Sequence, residues 1–310
     1  MAALCLMLAC GLVAGARGQN CIACGTPETL LVTAADSWTL HKQVNEVQVL
    51  FTASRHGRFI TGLTEDDVQV QDNSKPATIV DFRDQDNLPL RIALLVDTSD
   101  SIRERFRFEQ EAAAIFLRKT LRNDSDQAMI AGFDTRLHVT QDFTHDSRLL
   151  STGIARLSPG GETAVFDSVT EACHMLARAE QGVVARVLIV VSDGDDNASK
   201  NTLLAAVAHA QQDEVTVYTL STNFHSSDFP PDQNLKHLAE PTGGQALFPG
   251  TARHLERSFA RISEELRHRY EVAYRPPEFA TNGRFHRIRI WARKSGKNLK
   301  VKARQGYYAR

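Results

Sequence analysis

The sequence predicts an α/β fold: a doubly wound, mostly parallel sheet of the Rossmann-like kind, with strands from both chain ends joining in a small β-sandwich. Three observations carry this expectation. Two apolar runs, Ile92–Val96 in IALLVDTSDS and the one inside Ala185–Asp196 (ARVLIVVSDGDD), suit strands buried on both faces, as in a parallel sheet covered by helices. From Leu88 to Tyr270, strand-like runs alternate with amphipathic helical segments, the pattern of βαβ units. Outside those limits the pattern has period two, with short strands joined by turns.

In chain order, Met1 to about Ala16 (MAALCLMLACGLVAGA) is apolar and rich in small residues, and Ala14-Gly15-Ala16 is an A-x-A-type cleavage site. Residues 1–18 are therefore expected to be a secretory signal peptide, although no Lys or Arg precedes Arg17 to form the usual basic start. Cys5 and Cys10 would leave with it. Cys21 and Cys24 form a lone C-x-x-C, poor evidence for zinc, while Cys173 lies on the apolar face of a helical segment.

Residues 27–87 read as an amino-terminal β segment. Val44, Val47, Val49 and Phe51 alternate, Ser54–Arg58 is a hairpin turn, and Val68–Val70 and Ala77–Phe82 follow around a second turn at Asp72–Pro76. Residues 88–270 carry the α/β pattern, with helices expected over Arg103–Leu121, Asp146–Leu157, Ala164–Ala179, Lys200–Gln211, Leu235–Ala239 and Ala252–Arg269. Residues 271–310 turn β again. Neither flanking segment is large enough for its own core, so 271–310 is expected to pair with 27–87, with the α/β domain inserted between them. The basic run from Arg284 to Lys302 reads as solvated edge strands rather than a polyanion site.

The residues with chemistry lie just past the carboxyl ends of the two buried strands, where open α/β sheets place their ligands. Asp97, Ser99 and Ser101 follow the first, and Asp193 with Gly194 follows the second. Between them SPGGETAVFD holds Thr163, after a Gly-Gly pair and before a helix. Carboxylates and hydroxyls are hard oxygen donors, which suit a hard divalent cation better than zinc or copper.

A D-x-S-x-S loop, a Gly-flanked Thr and a strand-terminal D-G, in that order, resemble the von Willebrand factor type A (VWA) family and its metal-ion-dependent adhesion site, over about Leu88 to Tyr270. The resemblance implies that Ser99, Ser101 and Thr163 bind Mg²⁺ or Mn²⁺ through their hydroxyls. It implies that Asp97 and Asp193 act directly or through water, and that a carboxylate from a partner protein completes the shell. The family most often has Gly between the two serines. Asp100 stands there instead, adding negative potential that raises cation affinity and disfavours an acidic partner. Asp100 and Glu162, beside the metal loops, are the candidate partner contacts. GLTEDDVQVQDNSKPATIVDF followed by PLRIALLVDTS also looks like bacterial secreted proteins described as VWA-related, which implies a protein exported to the periplasm, cell surface or medium.

Other classes fit less well. The formal net charge of −1 gives no support for nucleic acid as the partner, and no stretch after residue 16 is apolar long enough to span a bilayer. The eleven histidines form no close metal pair, no G-x-S-x-G elbow is present, and the Gly160-Gly161 loop lacks the P-loop lysine. The expectation is a secreted, non-catalytic protein-binding module that uses a bridging divalent metal. A structural or assembly protein whose metal only knits the loops, and a metal-dependent hydrolase, remain as alternatives.

Overall fold

The computed structural model describes residues 46–99, 106–122, 125–179, 183–223, 230–278 and 282–309. The signal-peptide expectation, Cys21, Cys24, Asp100 and Ser101 lie outside the described residues.

The described residues begin with β1 (Val47–Arg55), which turns through His56-Gly57 into β2 (Arg58–Phe59). Both turn residues have positive φ (50° and 79°), the two-residue turn whose twist matches that of antiparallel strands. β3 (Val68–Asp72) and β4 (Lys75–Pro76) are joined in the same way by Asn73-Ser74, and β5 (Thr78–Asp84) follows. The α/β part then runs β6 (Leu90–Asp97), α1 (Phe106–Thr120), β7 (Gln127–Phe133), β8 (Leu137–Thr144), α2 (Ser147–Ala155), α3 (Val165–Ala179), β9 (Ala185–Ser192), α4 (Leu203–Gln212), β10 (Val215–Ser221), α5 (Pro230–Ala239), β11 (Ala246–Leu247) and α6 (Ala252–Leu266). The chain ends with β12 (Tyr270–Arg275), β13 (Phe285–Lys294), β14 (Lys297–Asn298), β15 (Lys300–Ala303) and β16 (Gly306–Tyr308).

The α/β sheet has the order β11-β10-β9-β6-β7-β8, parallel except for β8 at one edge. β6 shows why an unbroken apolar run is needed. Leu90, Ile92, Leu94 and Val96 pack on one face against α1, α2 and α6, while Ala93 and Leu95 pack on the other against α3 and α4. At about 1.5–3 kcal/mol for each large side chain removed from water, these two cores hold the strand ends that carry the site.

Strands from both chain ends build the β-sandwich. β1 pairs antiparallel with β12 and β15, with β5 on the far side of β12. β13 pairs with β3, β14 and β16 in the facing sheet. Val47 and Val49 thus lie in a different sheet from Ile288, but all three share one apolar cluster. The sandwich also encloses a polar group. Asp72, 3% exposed, accepts hydrogen bonds from the hydroxyls of Tyr274 and Tyr307 (2.9 Å each) and from His286 Nδ1 (2.9 Å). It thereby fastens β3 to three strands contributed by the last forty residues.

Several helix boundaries differ from the sequence expectation. α5 covers Pro230–Ala239, reaching at least five residues before Leu235; α4 begins at Leu203 rather than Lys200, and α6 ends at Leu266 rather than Arg269. After β8, Asp146 caps α2 by accepting from the Arg148 amide at 2.8 Å. Among the described residues no helix is long and apolar enough to cross a membrane.

Candidate metal centre

The parallel strands β6 and β9 lie side by side, so their carboxyl ends bring Asp97 and the Ser192-Asp193 pair to one rim of the sheet. Asp97 is fully buried. Its Oδ1 accepts the Ser99 amide at 2.9 Å, which folds the D-x-S turn, and its Oδ2 accepts the Ser192 hydroxyl at 2.7 Å. Ser192 Oγ in turn accepts the Gly194 amide at 3.0 Å. Burial pushes the Asp97 carboxyl up to about 6; hydrogen bonds from Ser192 and Ser99 oppose the rise, and the charge of Asp193 adds to it.

Thr163 arrives on a third loop. Its amide donates to Asn197 Oδ1 (2.9 Å), and its carbonyl accepts the amides of Asn197 (3.0 Å) and Ala198 (3.1 Å). The start of α3 is capped from the same neighbouring loop, by Asp196 Oδ2 on the Phe166 amide and Ser199 Oγ on the Asp167 amide. The Gly160 amide donates to the Thr98 carbonyl at 2.6 Å, and the Ala164 amide to the Asp134 carbonyl at 2.7 Å. Gly161 has φ 101°, and a Cβ there would lie 2.9 Å from that of Asp134, so a glycine at this position is what allows the approach.

Asp193 is 9% exposed, and its Oδ1 accepts the Asp195 amide at 3.2 Å. Behind it, Asn223 donates to the Asp193 carbonyl (2.8 Å), and Asn223 and Ser221 both donate to buried Asp232. Gly194 is tightly enclosed. It has φ 84°, and an added Cβ would stand 2.3 Å from the Pro231 carbonyl oxygen. Gly194→Ala is expected to destabilise the fold by about 2–4 kcal/mol, combining a left-handed backbone with a clash against main chain. Urea unfolding of the variant measures this.

Asp97, Ser99, Thr163 and Asp193 thus sit on three loops that hydrogen-bond to one another, while Ser101 lies outside the described residues. Glu162 is exposed beside Thr163. The supporting residues Asp196, Asp134 and Asn223 did not stand out in the sequence. Asn197 and Ser199 belong to the sequence Asn197-Ala198-Ser199, which matches the N-x-S glycosylation sequon. Here Asn197 positions Thr163 and Ser199 caps α3.

The donor chemistry fits a hard divalent cation. Asp97 is a buried carboxylate beside the charge of Asp193, and the hydroxyl and amide hydrogens of Ser192 and Ser99 favour its ionised form. A cation would supply countercharge to the two carboxylates. Among the described residues no group of three His, Cys, Asp or Glu is arranged to hold a metal, so a cation here would need hydroxyl ligands beside the two carboxylates.

Residues 92–195 match the family model described as von Willebrand factor type A domain. No curated protein matches the chain. Among solved structures, the chain is similar to the von Willebrand factor type A protein of Catenulispora acidiphila, with TM-score 0.50 and 11% identity over 81% of this chain and 75% of that one. It is similar to proximal thread matrix protein 1 from the mussel byssus, with a zinc-occupied metal-ion-dependent adhesion site motif, at TM-score 0.50 and 15% identity over 63% and 49% of the two chains. The D319A mutant of the PilB minor pilin of Streptococcus sanguinis gives TM-score 0.48 and 12% identity over 59% of this chain and 62% of the pilin. The chain therefore spans about three fifths of that pilin's length. At these identities the likeness to the two structures with TM-score 0.50 shows the fold alone.

Proposed function

Because the chain carries a von Willebrand factor type A domain, we propose that it is a non-catalytic binding module that captures a partner protein through a divalent cation, Mg²⁺ or Mn²⁺. Asp97, Ser99, Ser101, Thr163 and Asp193 hold the cation in this reading, and Asp100 and Glu162 border the partner. Residues 88–270 form the binding domain, and the strands of 27–87 and 271–310 form its base. Export, with residues 1–18 as signal peptide, belongs to the same proposal.

The observation that carries the reading is the buried carboxylate Asp97, fixed by Ser192 and Ser99 beside Asp193 at the rim of the sheet. When bound, the cation supplies positive charge for an incoming carboxylate. The chain's own residues prepare for it. Asp97 is oriented by two hydrogen bonds, Thr163 is clamped through its backbone so that its hydroxyl is left for ligation, and Asp193 is held next to the Gly194 turn. Because three of the five ligands are neutral hydroxyls, the two carboxylates only balance a divalent charge, and the cation keeps its attraction for a further oxygen donor.

The purely structural alternative is weakened by the loops themselves, which Gly160–Thr98 and Thr163–Asn197 hydrogen bonds join directly. The hydrolase alternative is weakened at Ser192, whose hydroxyl donates to Asp97 rather than to a histidine base. The mussel protein's occupied adhesion-site motif is consistent with the reading. Capture of binding partners by the immobilised protein, with and without chelator, tests it. Partner recovery in Mg²⁺ that disappears with EDTA and returns with added Mg²⁺ is the expected outcome; recovery indifferent to chelator contradicts the bridging role.

A further inference from the structure

The fold divides the basic run near the carboxyl end. On β13, Arg287, Arg289 and Arg293 point outward to solvent. Beyond the β14 turn, Lys300 and Lys302 pair with Ser54 and Thr52 of β1 and meet helix α6 instead. There they join Arg261 of α6, Arg55 and His56 of the β1–β2 turn, and Asn298 around a cavity of about 280 Å³. None of the lining residues is acidic.

Cations from three separate elements have been brought together, although like charges in proximity destabilise a fold unless something neutralises them. Among the described residues only Lys302 is answered, by buried Glu265 at 2.8 Å, and that carboxylate also accepts from Gln245 and Tyr218. Arg55, Arg261 and Lys300 have no acidic partner among the described residues. The crowding is felt at Lys302, whose ammonium is held below its ordinary range by burial and, despite Glu265, by the charges of Arg261 and Lys300. A solvated lysine-rich surface would spread its charges apart; these converge on a concavity. Two guanidinium forks and two ammonium groups suit tetrahedral oxyanions, which accept hydrogen bonds from several directions at once.

We propose that this cavity between α6 and the β-sandwich binds a small ligand carrying two or more phosphate or sulfate groups. Such a ligand would join Arg261 of α6 to Arg55 and Lys300 of the sandwich. The site is separate from the loops proposed to hold the divalent cation, and shares no residue with them.

Calorimetric titration of the full chain in metal-free buffer at about 0.15 M salt tests this, with inorganic pyrophosphate in one arm and a multiply sulfated disaccharide in the other. Saturable binding is expected, weakened at least about tenfold in Arg261→Glu and in Lys300→Glu, the loss of about one strong ionic contact. Both side chains are exposed, so neither variant disturbs the core. Arg289→Glu makes the same charge change on the outer face of β13 and is expected to stay within about twofold of wild type. The tighter of the two probes identifies phosphate or sulfate as the source. No saturation with either probe, or an equal loss in Arg289→Glu, overturns the proposal.

Discussion

Mg²⁺ titrated into the Asp97→Ala protein is expected to release no binding heat, whereas the wild type binds saturably. Asp97 is one of only two carboxylates in the proposed set, and it has no exposed surface through which water could substitute for it. Changes one shell further from a metal already cost about 10–100-fold in affinity, so loss of a charged ligand is expected to cost at least about a hundredfold. Alanine also removes the acceptor for the Ser192 hydroxyl and the Ser99 amide, so the turn itself could shift. Asp97→Asn separates the two effects. It retains a carbonyl oxygen for the Ser99 amide and nearly the same volume, yet removes the charge. Its unfolding transition is expected to match that of wild type within about 1–2 kcal/mol while Mg²⁺ binding is lost. Full Mg²⁺ affinity in Asp97→Asn would place the cation elsewhere.

The second large effect is expected far from the rim. Asp72→Ala should destabilise the protein by about 3–5 kcal/mol, because it strands three donors inside the sandwich, each left-over buried donor costing about 1–3 kcal/mol before relaxation. Those donors are the Tyr274 and Tyr307 hydroxyls and His286 Nδ1. Burial and the adjacent Asp72 charge hold both tyrosines well above the ordinary phenol range, so they remain donors through the working pH range. Tyr274→Phe removes one donor and leaves Asp72 with Tyr307 and His286, and about 1 kcal/mol is expected. Urea unfolding followed by circular dichroism distinguishes the two. If Asp72→Ala costs no more than Tyr274→Phe, the cluster is not what fastens β3 to the carboxyl-terminal strands.

Much of this was legible in the residues. β6 and β9 announce themselves because strands covered by helices on both sides are apolar through their central residues, Ile92–Val96 and Val187–Val191, and in each case the first acid stands where the strand ends. The sandwich was legible as a necessity: neither β end could bury a core alone, and period two marked Val47, Val49 and Ile288 as inner-facing. What the pattern could not give was the pairing. That β1 lies between β12 and β15 while β13 faces it from a second sheet depends on the turns at Asn73-Ser74 and Ser295-Gly296, and on where β14 and β15 change sheets.

The site was legible to the same depth. Asp97, Ser99, Thr163 and Asp193 stand out because the residue type and its place at a strand or helix end coincide. The roles of Ser192, Asn197 and Asn223 do not, because they act through hydrogen bonds to partners distant in sequence. Asp72 is the extreme case: within β3 it reads as a strand-end turn residue, and only the partners drawn from Tyr274, His286 and Tyr307 reveal its role.

The most direct test of the central claim is anomalous diffraction at the manganese edge from crystals of the full chain soaked in Mn²⁺. A single strong peak within bonding distance of oxygen atoms from Ser99, Ser101 and Thr163, with Asp97 and Asp193 bound directly or through water, is the predicted result. Saturating Mn²⁺ that leaves no peak at those side chains, or places its peak at other residues, would contradict it.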